Sequence, residues 1–254
     1  MRKLIKPLIE FFPKLASIYR YLREIRHLQT IGVPTLTPMG FKFIGSTYMQ
    51  QGKYEIEEFE IVKKILKEID IFINVGANMG YYCCIALQFG KKVVAFEPIE
   101  LNLKYLYKNL LSNNWGEEVE IFPIALSDKP GLNYIYGGST GASLIKGWAG
   151  ISEKYVNIVP TSTLDLVLRS KYIGETIFIL VDIEGSEKSM LDGAEYFITR
   201  HPKPIWMIEI IVSEHQPNDK SVNPNLLTTF KKFWDNDYIA MTACKNSRVI
   251  YYQI

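Results

Sequence analysis

The sequence has few cysteines, no long apolar run and almost no net charge, and each absence excludes a class of protein. Its three Cys residues, Cys83, Cys84 and Cys244, show neither the spacing of a disulfide framework nor that of a zinc site. A reduced, cytoplasmic chain is therefore expected. No run of about 18 apolar residues occurs, so a transmembrane helix is not expected.

The charged residues nearly balance, because 29 Lys and Arg residues face 27 Asp and Glu residues, for a net charge of +2. This balance does not indicate a nucleic-acid-binding protein, which would carry a basic surface. Two phosphate-binding motifs are also absent. The chain has no Gly-Lys-Ser/Thr loop, and Gly76-Ala-Asn-Met-Gly80 lacks the middle glycine of the dinucleotide fingerprint. A NAD-dependent oxidoreductase is therefore disfavoured.

Apolar residues make up 48% of the 254 residues, enough for the core of one large domain. Short apolar runs alternate with helical segments, which is typical of a doubly wound, mostly parallel α/β sheet. Strands are predicted at 71–75, 92–96, 119–124, 177–181 and 204–210, and helices at 55–68, 81–89, 102–111, 187–200 and 224–236. Runs at 238–241 and 249–252 predict a closing C-terminal β-hairpin. Residues 129–159 interrupt this alternation of strands and helices, and we expect them to form an insertion that covers the active site. Within this insertion, Ser143 either contacts the acceptor molecule of the reaction or is a solvated loop residue.

A glycine-rich turn after the first predicted strand is the most informative local pattern. Gly76 and Gly80 let the backbone approach a ligand closely, and Glu97 follows the second strand. A carboxylate there is placed to accept hydrogen bonds from both hydroxyls of a ribose, so the pair predicts a nucleoside-shaped ligand at the carboxyl ends of the sheet. The glycine spacing fits a ligand with an amino-acid tail, which points to S-adenosylmethionine. A purely structural strand-to-helix turn is the alternative.

Two carboxylates, Asp182 and Glu184, directly follow the apolar run 177–181. If that strand stays extended, residues two apart point to one side of the cleft. A carboxylate in a partly desolvated cleft can take the proton of an acceptor hydroxyl, because burial raises its pKa. Glu209, near the end of the next strand, and His215 are further catalytic candidates. Mg²⁺ held by the carboxylate pair is an alternative use of the same residues.

Five motifs occur in order within residues 50–212: Val75-Gly-Ala-Asn-Met-Gly-Tyr-Tyr82, Ala95-Phe-Glu-Pro98 with Asn102 and Asn109, Ala125-Leu-Ser127, Thr163-Leu-Asp165, and Val181-Asp-Ile-Glu-Gly-Ser-Glu187 with Leu191-Asp-Gly-Ala194. Together they resemble the FkbM family of S-adenosylmethionine-dependent O-methyltransferases. The resemblance implies a Rossmann-like class I methyltransferase fold and a sugar, polysaccharide or natural-product acceptor. With the glycine turn, it places the cofactor on Tyr54, Glu55, Asn74, Gly76, Ala77, Asn78, Gly80, Tyr81, Glu97, Pro98, Asn102, Ser127 and Asp182.

Two positions depart from the usual pattern of that family. The family generally has Asp where this chain has Asn74, and often Lys where it has Leu180. Asn74 offers hydrogen-bond donors and an acceptor, but no charge for the ammonium group of the cofactor. The alternative to an active enzyme is therefore a non-catalytic, methyltransferase-like partner protein in a biosynthetic complex.

Residues 1–28 form a separate segment ahead of a methyltransferase domain at residues 29–254. Apolar residues recur there at steps of three or four, and seven basic residues against two acidic ones give a net charge of +5. This pattern predicts a basic amphipathic helix. Such a helix lies on an anionic membrane surface at the inner membrane face, packs on the domain body, or packs on a second subunit of a homodimer. Charges such as Lys14 interrupt the segment and argue against a secretory signal.

Overall fold

The computed structural model describes residues 32–242 and 249–253. Its strands, numbered in chain order, are β1 Thr35–Leu36, β2 Lys42–Phe43, β3 Ile71–Val75, β4 Lys92–Phe96, β5 Val119–Phe122, β6 Ala125–Leu126, β7 Gly131–Tyr136, β8 Val156–Ser162, β9 Ile177–Val181, β10 Ile205–Glu209, β11 Ile239–Thr242 and β12 Val249–Gln253. Its helices are α1 Thr47–Gln50, α2 Ile56–Ile65, α3 Tyr81–Gln88, α4 Glu100–Leu111, α5 Leu164–Leu168, α6 Glu187–Asp192, α7 Glu195–Thr199 and α8 Leu226–Trp234, and a short 3₁₀ turn covers Trp148–Gly150.

Seven strands form the central sheet, in the order β11-β12-β10-β9-β3-β4-β5. The five strands from β10 to β5 are parallel, while β12 runs antiparallel to β10 and pairs with β11 in the predicted C-terminal hairpin. Every residue of β3 and β9, which lie side by side near the centre, is buried. Strands buried on both faces are nearly continuous apolar runs, which is why these two were recognisable in the sequence.

Alternate residues of β3 face two different hydrophobic cores, because side chains along a strand alternate between its faces. Phe72 packs with residues of α2, α3 and α4 on one face of the sheet. Ile71, Ile73 and Val75 pack with residues of α5, α6, α7 and α8 on the other. The sheet is therefore doubly wound, and the predicted fold class is confirmed.

The direction in which the chain crosses the sheet reverses between β3 and β9. From β3 the chain adds β4 and β5 on one side, and it later adds β9 and β10 on the other. Val75 and Val181, the last residues of β3 and β9, are register partners at this point. A crevice opens at the carboxyl ends of the strands where the order reverses, and it is the usual ligand site of a doubly wound sheet.

Most predicted elements are present, with ends that differ by a few residues, and β3, β4 and β9 have the predicted bounds. The single helix predicted at 187–200 is wrong, because α6 ends at Asp192 and α7 begins at Glu195. Gly193 separates the two helices. A Cβ at Gly193 would stand 2.2 Å from the Ser127 carbonyl oxygen, so there is no room for a side chain where the two helices meet.

The predicted insertion at residues 129–159 contains β7, the first part of β8 and the long loop that connects these two strands. β7 and β8 pair antiparallel, and β8 also pairs with β6 in parallel, so the three strands form a small second sheet. Buried Ile135 and Val159 attach this sheet to Ile99 and Tyr105, beside the central sheet. Residues of the loop between β7 and β8 then lie at the carboxyl ends of the central strands.

The predicted basic helix at residues 1–28 and Cys244 lie outside the described residues. Cys83 and Cys84 are buried free thiols in α3, in agreement with the prediction of a buried helix. None of the helices in the described part of the chain is long and apolar enough to cross a membrane.

Candidate active site

The glycine turn after β3 packs closely against its neighbours. Gly76 and Gly80 both have a φ of 84°, in the left-handed region that favours glycine. A Cβ on Gly76 would stand 1.9 Å from the Asp182 carbonyl oxygen, and one on Gly80 would stand 2.3 Å from Leu106 Cδ1. The Gly76 N–H donates a 3.0 Å hydrogen bond to the Phe96 carbonyl oxygen at the end of β4. The turn therefore has no room for side chains at either glycine.

Glu97 follows β4 directly and is buried. One carboxylate oxygen accepts a hydrogen bond from the Asn78 backbone N–H (2.7 Å). The other accepts from the Ile99 backbone N–H (2.8 Å) and from the Asn102 side chain (3.1 Å). Burial raises the pKa of Glu97 to about 7, although these hydrogen bonds act to lower it. The glycine turn and the first turn of α4 thus fix this carboxylate in place.

Two amide side chains beside Glu97 carry buried oxygen atoms without a hydrogen-bond partner among the described residues. The atoms are Asn78 Oδ1 and Asn102 Oδ1. Both residues line a cavity of about 260 Å³ at the carboxyl ends of β3, β4 and β9. A buried oxygen without a partner costs about 1–3 kcal/mol. A ligand that donates hydrogen bonds, such as a nucleoside, would offset this cost.

The other end of the cavity is acidic. Glu55, Asp182, Glu184 and Glu209 all line it, and no Lys, Arg or His occurs among the lining residues that the structure describes. Burial raises the pKa of Asp182 well above its usual range, and the nearby Glu209 and Glu184 carboxylates raise it further. This end therefore favours a cationic ligand, and without one Asp182 favours its protonated form.

Asp182 and Glu184 reach the cavity through a turn, so the expectation of an extended strand was wrong. β9 ends at Val181, and Glu184 has a left-handed φ of 54°. A residue with a side chain pays roughly 1–3 kcal/mol for such a backbone conformation. Gly185 follows with a φ of 94°, and a Cβ on it would stand 2.5 Å from the ring of Trp148. The indole packed against Gly185 supports the strained turn.

The insertion holds Glu184 at two points. The Trp148 indole N–H donates a 2.8 Å hydrogen bond to Glu184 Oε2, and the Ser143 hydroxyl donates a 2.6 Å bond to the Glu184 carbonyl oxygen. Ser143 is buried, so it is an anchor and not a solvated loop serine. His215 Nδ1 lies 3.9 Å from Glu184 Oε2. Glu184 Oε1 lies on the side of Gly141, 3.7 Å from the position of a Cβ on that residue.

Glu55, just before α2, is held by two phenols. The Tyr82 hydroxyl donates a 2.7 Å hydrogen bond to Glu55 Oε2. Burial raises the pKa of Glu55, while hydrogen bonds from Tyr54 and Tyr82 lower it. Burial and the Glu55 carboxylate raise the pKa of Tyr54, so its hydroxyl keeps its proton. Glu55 has a left-handed φ of 44°, which is a second strained position at the cavity.

The structure brings most of the predicted site residues together. Those that line the cavity are Tyr54, Glu55, Gly76, Asn78, Glu97, Pro98, Asn102, Asp182, Glu184 and Glu209. Ala77, Gly80, Tyr81, Ser127 and His215 lie outside its lining, as does Asn74. Asn74 is buried in β3, and its amide contacts Cys83 Sγ of α3 at 3.5 Å, on the helix side of the sheet. The individual roles of all these residues remain predictions.

Three further residues at the site were missed in the sequence. Ser186 lines the cavity, and Glu187 accepts a 2.8 Å hydrogen bond from the Gly185 N–H. Burial raises the pKa of Glu187 to about 7. Both residues lie next to Glu184 in the sequence, so proximity could have suggested them. Trp148 is distant in the sequence, and no local pattern marks it.

A metal site receives no support from this geometry. In the described ranges 32–242 and 249–253, no group of three or more His, Cys, Asp or Glu side chains could hold a metal ion. The predicted Mg²⁺ therefore stays a prediction that only a binding measurement can address.

The fold and the cleft define a Rossmann-like α/β domain with a ligand site at the point where the strand order reverses. Residues 74–239 match the methyltransferase FkbM domain, and the chain belongs to this family. The resemblance seen in the sequence motifs is thus confirmed. No curated protein matches the chain.

Several solved structures are similar to this chain. A methyltransferase FkbM from Methylobacillus flagellatus KT has 18% identity and a TM-score of 0.49, and the match covers 83% of this chain and 56% of that one. A precorrin-6y C5,15-methyltransferase from Geobacter metallireducens GS-15 has 11% identity and a TM-score of 0.46, covering 83% and 91%. An O-methyltransferase from Bacillus cereus in complex with SAH has 13% identity and a TM-score of 0.43, covering 82% and 80%. The chain spans little more than half the length of the first of these proteins.

Proposed function

We propose that this chain is an S-adenosylmethionine-dependent O-methyltransferase that methylates a hydroxyl group of a sugar, a polysaccharide or a natural product. Membership of the FkbM family supports the methyltransferase class. The observation that carries the cofactor proposal is the fixed Glu97 carboxylate, flanked by the unpaired oxygens of Asn78 and Asn102. The ribose hydroxyls and adenine amino group of the cofactor are hydrogen-bond donors for such a set of acceptors.

The residues around the cavity fit the whole cofactor. Glu97 would accept hydrogen bonds from the ribose, and the side-chain-free turn at Gly76 would let the backbone approach the amino-acid tail. Glu55 and Asp182, at the acidic end, would stabilise the ammonium group and the sulfonium. The fit does not use Asn74, which lies outside the lining, so this residue gives no reason to prefer a non-catalytic protein.

When bound, S-adenosylmethionine supplies the methyl group, which passes from sulfur to the acceptor oxygen as the C–S bond breaks, leaving S-adenosylhomocysteine. The protein has to hold the acceptor hydroxyl in line and remove its proton. Asp182 is suited to take the proton, because the burial that raises its pKa makes it a stronger base than an ordinary carboxylate. Glu184, with Oε2 held by Trp148, would orient the hydroxyl through Oε1.

Calorimetric titration with S-adenosylhomocysteine, with and without Mg²⁺, tests the cofactor part of this proposal. We expect micromolar binding that does not depend on Mg²⁺. Absence of binding in both conditions would reject the proposal and favour the non-catalytic alternative. Binding only in the presence of Mg²⁺ would instead support the carboxylates as a metal site.

A further inference from the structure

The acidic end of the cavity holds four carboxyl groups, whereas the proposed cofactor has two positive groups. S-adenosylmethionine has two positive groups and one carboxylate, so it brings a net charge of about +1 to the cavity. Glu55, Asp182 and Glu184 line the acidic end together with Glu209, and the described lining residues include no basic side chain. A second cationic group would be attracted to this end of the cavity and would favour the ionised form of its carboxyl groups.

We propose that the acceptor carries its own ammonium group beside the hydroxyl that is methylated, as amino sugars and amino alcohols do, and that Glu184 binds this ammonium group while Asp182 takes the hydroxyl proton. The inference rests on the proposed function, because it assigns the acceptor of the same reaction. The hydroxyl remains the methylated group, and the ammonium group serves to position it.

Contacts within the protein orient Glu184 for such a role. Trp148 holds Oε2 through a 2.8 Å hydrogen bond, and Ser143 holds the backbone through its 2.6 Å bond to the carbonyl oxygen. The left-handed backbone, with a φ of 54°, points to a position that the surroundings impose. Oε1 is thereby directed to the side of Gly141, a residue of the cavity lining. A preorganised carboxylate binds a cation at a smaller entropic cost than a mobile one.

Ser186 provides an independent indication that a polar ligand belongs here. Its side chain lines the cavity and is 5% exposed. Its hydroxyl has no hydrogen-bond partner among the described residues. An ammonium N–H would satisfy the lone pairs of this oxygen, and the Ser186 hydroxyl could donate to an acceptor oxygen in turn.

An organic ammonium group suits this end of the cavity better than a metal ion. The described acidic side chains do not converge as a group of three that could hold a metal. An ammonium group on a ring presents several N–H donors in different directions, so it can contact carboxylates that are spread along the cavity wall.

Two ring-shaped probes that differ in one charged group provide the test. The probes are trans-2-aminocyclohexanol, which is protonated at neutral pH, and the matching trans-cyclohexanediol. Each is titrated calorimetrically into the full-length protein at low salt, with and without saturating S-adenosylhomocysteine. We expect the amine to bind at least ten-fold more tightly than the diol, and the Glu184→Gln variant to lose most of this preference.

A matched control is Glu153→Gln, which removes an exposed carboxylate of the same insertion that pairs with Lys146. This variant should keep the full preference for the amine. Equal binding of the two probes, tighter binding of the diol, no binding of either, or a preference that survives Glu184→Gln would each overturn the inference. The separate titration of S-adenosylhomocysteine shows whether the cofactor proposal fails as well. The two failures are distinguishable because the preference for the amine probe is measured both with and without S-adenosylhomocysteine.

Discussion

Asn74 and Leu180 are register partners on the adjacent parallel strands β3 and β9. Their side chains lie on the same face of the sheet, the face covered by α3, where Asn74 contacts Cys83 and Leu180 packs in the same core as Phe72. The two positions singled out in the sequence are therefore direct neighbours on one face of the sheet. Both side chains are neutral, and both lie outside the cavity lining.

The pairing of Asn74 with Leu180 predicts that an Asp at position 74, without a partner at position 180, destabilises the folded protein. Asn74→Asp buries a carboxylate beside Leu180 without a cation, and we expect the free energy of unfolding at neutral pH to fall by about 2–4 kcal/mol. The double variant Asn74→Asp/Leu180→Lys should recover at least half of that loss. Chemical denaturation of the wild type, both single variants and the double variant measures the coupling. Additive effects of the two substitutions would show that these neighbouring positions are not coupled.

The ribose assignment predicts a specific loss of affinity. Glu97→Gln keeps the shape of the side chain but removes the charge, so S-adenosylhomocysteine should bind ten- to a hundred-fold more weakly, about 1.5–3 kcal/mol. Glu100→Gln is the control, because Glu100 lies three residues away and its side chain is 81% exposed. Calorimetry on both variants decides the question. Unchanged affinity in Glu97→Gln would refute the assignment.

The raised pKa of Glu97 predicts a pH-dependent stability. Because burial raises this pKa from 4.5 to about 7, the folded protein binds a proton at Glu97 more tightly than the unfolded chain does. The contribution to stability is complete below the unfolded pKa and is lost as pH rises through the folded pKa, with a total on the order of 3 kcal/mol. The unfolding free energy of Glu97→Gln should therefore fall less between pH about 4.5 and 7 than that of the wild type.

Chemical denaturation at several pH values measures this difference between wild type and variant. Glu187 shares the raised pKa of about 7, so part of the slope should persist in Glu97→Gln and disappear in the double variant Glu97→Gln/Glu187→Gln. Parallel pH profiles for wild type and both variants would show that neither carboxyl titrates in this range.

A side chain in the glycine turn should destabilise the protein in two ways that can be measured separately: through backbone strain and through steric overlap of its Cβ. Gly76→Ala and Gly90→Ala both place alanine at a positive φ, 84° and 69° respectively, but a Cβ on Gly90 has no atom within 4 Å. Gly90→Ala therefore measures the backbone strain alone, about 1–3 kcal/mol. Gly76→Ala should lose a further 1–3 kcal/mol, because the Asp182 carbonyl oxygen has to move. Equal losses in thermal or chemical denaturation would mean that the turn has more space than the structure shows.

The hydrogen bond from Trp148 to Glu184 predicts that replacing Trp148 lowers the free energy of unfolding more than replacing a Trp on the surface does. Trp148→Phe removes the donor to Glu184 Oε2 and should lower the free energy of unfolding by about 1–2 kcal/mol. It should also weaken the preference for the amine probe, because Glu184 loses one anchor. Trp234→Phe is the control, since Trp234 is 48% exposed on α8. If both variants behave alike, the indole N–H has no special part in orienting Glu184.

The sequence predicted those parts of the site that depend on residues close together in the chain, such as an apolar strand and the residues at its end. β3 and β9 were visible as apolar runs because they are buried on both faces, and Gly76 and Glu97 could be placed because strand ends in a parallel sheet share one edge. The turn at Glu184 could not be predicted, since its left-handed backbone depends on packing between Gly185 and Trp148. The face of the sheet to which the Asn74 side chain points was also visible only in the three-dimensional structure, because a strand residue near a cleft can face either side of the sheet.

The hydrogen bond between Trp148 and Glu184 links two segments that are far apart in the sequence. Glu184 lies in the turn that follows β9 of the central sheet, whereas Trp148 lies in the loop between β7 and β8. A chimaera that receives the loop of a relative would therefore exchange part of the cavity wall and the support of the Glu184 carboxylate in one step. Any exchange of this loop has to treat Trp148, Gly185 and Glu184 as a single transferable unit.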